Sequence, residues 1–265
     1  MIDVVIIDTY PVQDLCRLAI DQAVKTGIIN RVHTFSHQPI YSGEIFYPIR
    51  KIESVVEYSH IMLNVLPCFI DADHVLVVQW DGMPISAEGW SPEFFNYDYI
   101  GAPWSMVDEP SNVGNGGFSL RSRALFDTLR KLRIRCDTTQ HDGGIEDLIL
   151  CKTHRTNMEN AGCRFAPTDV ARRFSVENVD YLSPFGFHGV FNLPKFLNEI
   201  ALINFTDELV ERTPRDLFII NFLIACINKK YDELYGATIN SLESAKRFSG
   251  IQALINASAV VLPGF

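Results

Sequence analysis

The stretch from His74 to Asp81, HVLVVQWD, decides how the rest of the chain is read. Four consecutive apolar residues, Val75 to Val78, fit a central strand covered on both faces, as in sheets wrapped by helices. The polar residues Gln79 and Asp81 fall at its C-terminal end, the side on which open α/β sheets bind ligands. Upstream, Val4 to Ile7 is a second β-branched run, and it ends in Asp8-Thr9-Tyr10-Pro11. Val12 to Lys25 carries Leu15, Leu18, Ala19 and Ala23 at helical spacing, with Gly27 as its stop, and Arg31 to Ser36 reads as another strand. This β-α-β opening predicts an α/β fold, a Rossmann-like, mostly parallel open sheet flanked by helices.

Further along, Glu53 to Leu66 has helical spacing up to Pro67, and Asp98 to Gly101 is a short strand. Gly114 to Leu120 is a glycine-rich turn entering a strand, followed by a helix over Ser122 to Leu132. A second glycine turn, His141 to Gly144, precedes a helix over Ile145 to Asn160, and Phe165 to Phe174 is expected to return to the sheet. Pro184 to Gly189 is a loop holding the isolated His188. After Pro194 the pattern changes: Phe196 to Val210 and Leu217 to Tyr235 are helical, and strand signals thin out until Ala259 to Leu262. The expected division is an α/β domain over 1–194 and a helical C-terminal appendage over 195–265.

With 265 residues, 47% of them hydrophobic, the chain can bury one large domain or one domain with an appendage. A net charge of −9 argues against a nucleic-acid partner, because phosphate backbones are held by a basic surplus. The six cysteines form no CxxC pair, and Met1-Ile2-Asp3 leads straight into an apolar run rather than a secretory leader. Reduced thiols and a cytoplasmic location are therefore expected. The apolar stretch Leu217 to Ile227 is too short to span a bilayer, which leaves peripheral membrane contact open.

Four constellations could carry chemistry, and each has a plain structural alternative. Asp81 either binds a cation or caps its own turn. Gly116 and Gly117 either let a ligand approach the backbone closely or form a turn or bulge, with Asn115 and Ser119 as polar neighbours. Glu146 and Asp147 either supply a general base or favour the first turn of a helix through its dipole. His188 is a ligand or a structural histidine. Trp104 and Tyr99 stack on a sugar or pack the core. Arg121, Arg123, Arg172 and Arg173 contact a diphosphate or sit on a solvated surface. Asp8, Thr9 and Tyr10 follow the first strand, where such folds hold a nucleotide, and Gln79 and Trp80 are candidates for the same role. No GxxxxGK[ST] phosphate loop occurs.

Taken in order, HVLVVQWD, YDYIGAPW (97–104), VGNGGFSLRSR (113–123), Glu146-Asp147, RFSVE (173–177) and PFGFH (184–188) resemble a little-characterised group of glycosyltransferases from sugar-polymer gene clusters. The resemblance covers 1–192, and the same order is similar, more distantly, to the β-1,4-galactosyltransferases. It implies a GT-A-like fold and an inverting, metal-dependent transfer from a nucleotide-sugar, with a UDP-sugar favoured, to a saccharide or glycoconjugate acceptor. Asp81 matches the last carboxylate of an Asp-x-Asp motif for Mn²⁺ or Mg²⁺, with Gln79 in place of the first. His188 matches the later histidine of that metal shell. Asp147, with Glu146 as the alternative, matches the catalytic base, although Ile145 interrupts the contiguous Gly-Gly-Glu-Asp of the galactosyltransferases. Two other readings compete: a metal-dependent nucleotidyl- or phosphotransferase, and a non-catalytic sugar- or nucleotide-binding protein, which Gln79 favours.

Overall fold

The computed structural model describes residues 2–105, 112–136, 139, 143–179 and 181–258, so His141, Asp142 and the expected strand at 259–262 lie outside the described residues. The chain divides into two compact units, Met1–His188 and Gly189–Phe265.

The strands of the first unit are β1 (Ile2–Ile7), β2 (Ile29–Ser36), β3 (Ile45–Pro48), β4 (His74–Val77), β5 (Gly82–Pro84), β6 (Tyr99–Gly101), β7 (Ser119–Ser122), β8 (Ser175–Val176) and β9 (Gly186–His188). Six of them form one sheet in the order β3-β2-β1-β4-β7-β6. β1, β2, β3 and β4 run parallel, and β7 is antiparallel to both β4 and β6. This is the mostly parallel sheet expected from sequence. Val4, Val5, Leu76 and Val77 are buried at its centre, as continuous β-branched runs covered on both faces should be. The strand order reverses at β1, and β1 and β4 end side by side, a topological switch point.

Helices cover the sheet: α1 (Asp14–Lys25), α2 (Val55–His60), α3 (Arg123–Leu132), α4 (Glu146–Leu148), α5 (Arg155–Asn160) and α6 (Thr168–Phe174). α1 buries Leu15, Cys16, Ala19, Ile20 and Ala23, and the chain leaves it through Gly27 at φ +72°. Ser54 caps α2, its hydroxyl accepting from Glu57 N at 3.2 Å, and the helix widens into a π-type turn over Ile61–Val65. Ser122 caps α3 by accepting from Leu125 N at 3.0 Å.

Two expectations change. The helix over Ile145 to Asn160 is broken: α4 passes into a wide turn, where His154 N donates to Ile149 O at 2.9 Å, before α5 begins. Phe165 to Phe174 does not return to the sheet beyond a single bridge between Phe165 and Tyr99. Pro167 instead opens α6, with Asp169 in its first turn and Arg172 and Arg173 in its last, the charge order that a helix dipole favours.

A second, three-stranded sheet has the order β5-β9-β8. A tight turn joins β5 to β4: Gln79 and Gly82 exchange both backbone hydrogen bonds at 3.0 Å across Trp80 and Asp81. Phe118, Phe174 and Phe185 pack behind this sheet.

The second unit is helical: α7 (Leu193–Phe196), α8 (Glu199–Leu202), α9 (Thr206–Arg212), α10 (Asp216–Lys229), α11 (Asp232–Ser244) and α12 (Phe248–Ser258). The single helix expected over Leu217 to Tyr235 is split where Lys230 adopts φ +59°. Among the described residues no helix is long and apolar enough to cross a membrane. None of the six cysteines is bridged.

Candidate functional site

Outside the C-terminal end of β4 lies a cavity of about 700 Å³. The β4–β5 turn puts Asp81 at its edge, and the small sheet delivers two more ionisable groups. Antiparallel pairing of Gly82 with His188 brings the histidine beside the turn. Parallel pairing of Val176 with Phe187 then places Glu177, one residue on, next to His188.

The imidazole is held at both nitrogens. Nδ1 lies 3.1 Å from Glu177 Oε1, and Nε2 lies 3.2 Å from Gln79 Oε1 and 3.5 Å from Asp81 Oδ1. Gln79 Nε2 donates to the Tyr58 hydroxyl at 2.8 Å, which turns the amide oxygen toward the ring. Burial alone would lower the His188 pKa, but Asp81 and then Glu177 outweigh it and raise it to about 10. Asp81 Oδ1 stands at ion-pair distance from Nε2 and is buried without accepting a hydrogen bond.

Among the described residues no three His, Cys, Asp or Glu side chains converge as a ready metal cage. Yet Asp81 Oδ1, Gln79 Oε1 and His188 Nε2 face one another, and a divalent cation can take the place of the Nε2 proton. One carboxylate, one amide oxygen and one imidazole suit Mn²⁺ or Mg²⁺, with nitrogen ligation favouring Mn²⁺. Glu177 on the far nitrogen supplies the outer carboxylate that such histidine ligands usually carry. The residues present therefore fit a divalent cation.

The glycine run is shaped by these same side chains. A Cβ on Gly117 would overlap His188 Nε2, and one on Gly116 would overlap Glu146 Oε1. The space the glycines leave is thus filled by the protein itself, and both still line the cavity. Asn115 precedes them at φ +53°, a conformation asparagine tolerates, and its Oδ1 is buried without a hydrogen bond. Trp104 lines the cavity with its ring against Gly114 and Lys152 Nζ at 4.8 Å from its centroid.

Glu146 and Asp147 are turned apart by the helical step of about 100°. Glu146 is 4% exposed and forms the cavity floor, with Oε1 at 2.9 Å from Arg121 Nη2. Arg121 is fully buried, stacks on Tyr99, and donates from Nε to Ser119 Oγ at 3.1 Å. Ser119 in turn donates to Gly116 O at 3.0 Å, so it faces the interior rather than the cavity. Burial raises the Glu146 pKa, and Arg121 opposes it. Asp147 is half-buried and lines the cavity; it accepts from Gly116 N at 3.3 Å and from Leu148 N at 2.8 Å.

Other expected residues lie outside the lining. Asp8 Oδ1 accepts from Tyr10 N at 2.8 Å, and Thr9 Oγ1 accepts from Ile52 N at 2.9 Å, so Thr9 holds the lining residue Ile52 without lining the cavity itself. Trp80 sits in the turn, beyond the lining. The arginines expected at a diphosphate are not brought to the cavity surface. Arg121 is sealed beneath it, Arg123 bonds the carbonyls of Pro67 and Ile70, and Arg173 pairs with Glu93 at 2.8 Å. The described lining contains four carboxylates, Glu53, Glu146, Asp147 and Glu177, one histidine, and no lysine or arginine. Sequence reasoning gave Glu177, Tyr58 and Glu53 no role. Only Glu177 had a signal, its place at the end of RFSVE.

A family model described as "Protein of unknown function (DUF5672)" matches residues 44–188, more than half of the chain. No curated protein matches the sequence. Among solved structures, the chain is similar to a mannosyltransferase, PcManGT from Pyrobaculum calidifontis in complex with GDP-Man and Mn²⁺, at 11% identity and TM-score 0.42, covering 97% of this chain and 79% of that one. It is also similar to S. aureus TarS 1–349, at 13% identity and TM-score 0.43, covering 94% and 74%. A third likeness is to the bifunctional IspDF from Campylobacter jejuni, at 9% identity and TM-score 0.36, covering 62% and 48%.

Proposed function

We propose that this chain, which belongs to the family described as Protein of unknown function (DUF5672), is a glycosyltransferase. It moves a sugar from a nucleotide-sugar, a UDP-sugar in the first instance, to a saccharide or glycoconjugate acceptor, with inversion and with Mn²⁺ or Mg²⁺ bound. One observation carries this reading: Gln79, His188 and Asp147, distant in sequence, meet on one cavity, with Asp81 at its edge, and its described lining is acidic and holds no lysine or arginine. A nucleoside diphosphate at such a wall needs a cation to balance its charge, and Asp81, Gln79 and His188 would hold that cation. The metal supplies stabilisation of the negative charge that builds on the departing diphosphate.

The remaining chemistry belongs to the side chains. Glu177 holds Nδ1 of His188 and so aims Nε2 at Asp81. Asp147, anchored by Gly116 N–H and Leu148 N–H, accepts the proton of the acceptor hydroxyl as general base. Glu146, paired with Arg121, fixes the floor beneath it. Trp104, Asn115 and the backbone of Gly116 and Gly117 contact the sugars. The enzyme is cytoplasmic, with its catalytic domain over 1–194 and an appendage over 195–265.

The test is a thermal-shift series with UDP, GDP and their sugars, with and without Mn²⁺, followed by assay of UDP release. A ligand of the folded state raises the melting temperature with its occupancy. Failure of every nucleotide to do so in the presence of Mn²⁺ overturns the reading. Gln79, which adds no charge at the metal position, favours a second reading: a non-catalytic nucleotide- or sugar-binding protein. Nucleotide binding with no sugar released from any donor would select it.

A further inference from the structure

A second cavity, of about 420 Å³, lies on the other side of α2. The helix separates the two: Ser54, Val55, Tyr58 and Ser59 line the first, and Val56, Glu57, His60 and Ile61 line the second. Ile52 lines both, so the cavities meet across one side chain. Their chemistry is opposite. The second is walled by Ile49, Ile52, Val56, Ile61 and Val65, all half-buried, with Arg50 and Lys51 exposed beside them. Arg50 bonds Glu57 at 2.7 Å, and its side chain remains 83% exposed. This apolar recess of ligand size, with Lys51 and the Glu57-paired Arg50 at its rim, contrasts with the first cavity, whose described lining holds four carboxylates and no lysine or arginine.

We propose that this second cavity binds the apolar segment of an amphipathic anion, a hydrocarbon chain ending in a phosphate that lies on Arg50 and Lys51. The apolar walls take the chain out of water, and the two cations compensate the headgroup. The first cavity cannot host that anion by itself, because its lining carboxylates repel it. The order Ile49-Arg50-Lys51-Ile52-Glu53 lays out the contacts along one strip of chain: apolar wall, cationic rim, shared wall, acidic cavity. Resting on the transfer reading above, this makes the acceptor a saccharide esterified to that phosphate, with the hydrocarbon tail behind α2 and a saccharide hydroxyl reaching Asp147 past Ile52.

The test is calorimetric titration of the full chain with decyl phosphate below its micelle concentration, beside decanol and inorganic phosphate. Decyl phosphate is expected to bind at least about tenfold more tightly than either of the others. Val56→Trp, which fills the cavity, should weaken decyl phosphate by about tenfold or more and leave Mn²⁺–UDP binding unchanged. Lys51→Glu should weaken decyl phosphate and not decanol. If Val56→Trp fails to fold, protection of Cys136 from alkylation by decyl phosphate, measured in a Cys68→Ser protein, replaces it, since Cys136 lines this cavity. No binding of decyl phosphate, equal binding of decanol, or equal binding of inorganic phosphate overturns the proposal. Decyl phosphate binding without Mn²⁺–UDP binding keeps this site and removes the transfer reading; the reverse removes this site alone.

Discussion

Two charged clusters press on the same glycine run, one under Gly116 and the other against Gly117. Arg121 and Glu146 form the first, with side chains 0% and 6% exposed. Asp81, His188 and Glu177 form the second, at 14% to 17%. The first joins one cation to one anion, and Arg121 is sealed from solvent. The second sets one ring between two carboxylates; each cluster also buries a polar atom without a partner, Glu146 Oε2 and Arg121 Nη1 in the first and Asp81 Oδ1 in the second, and each reaches the cavity, through Glu146 in the first and through His188 and Glu177 in the second. A balanced pair satisfies most of its charge internally and acts mainly on the fold, whereas a cluster with one carboxylate in excess has charge left for a ligand. Burial depth and charge count, rather than residue type, separate a structural ion pair from a ligand site.

The contrast can be broken in several ways. Arg121→Met leaves Glu146 buried without its partner and should cost about 3–5 kcal/mol of stability in urea denaturation. A loss below about 1 kcal/mol would mean that the pair is not structural. Asp147→Asn should lower transfer by about 10²–10⁴-fold while donor affinity stays near wild type. Full activity would move the base to Glu146, against the burial seen here. Asp81→Ala should weaken Mn²⁺-dependent UDP binding by about a hundredfold; unchanged affinity in a folded protein removes Asp81 from the metal. Glu177→Gln should weaken Mn²⁺ by about 10–100-fold, because it loosens the far side of the His188 ring. The smallest effects separate the glycines. Gly116→Ala crowds Glu146 and should reduce stability by about 1–3 kcal/mol, whereas Gly117→Ala crowds His188 and should act mainly on Mn²⁺ affinity. If both substitutions act alike, the two clusters are one.

The centre of the large sheet was legible because its strands are continuous apolar runs, Val4 to Ile7 and Val75 to Val78, that leave no competing period, whereas β3 (Ile45–Pro48) was not expected. The small sheet was not. β5, β8 and β9 have two or three residues each, too few to show any alternation, and it is their register that sets Glu177 beside His188. The broken helix after Ile145 and the helix at Thr168–Phe174 were missed for a related reason: apolar periodicity marks a buried face but not where a backbone ladder slips. The glycines at 116 and 117 announced that a Cβ was forbidden, yet not that the protein's own Glu146 and His188 occupy the space. Arg121 read as a phosphate contact or a surface charge because its partner lies 25 residues away and the pairing arises only from tertiary packing.

The two-residue turn at Trp80-Asp81 is the covalent joint between the large sheet and the small one. Gln79 closes one side of it, and Gly82, paired with His188, closes the other. Gln79 follows β4 and His188 belongs to the small sheet, so a tilt between the sheets would be read in the gap between Gln79 Oε1 and His188 Nε2, 3.2 Å in this structure. Sheet alignment and site occupancy become a single mechanical variable: whatever draws those two side chains together also fastens the small sheet onto the large one.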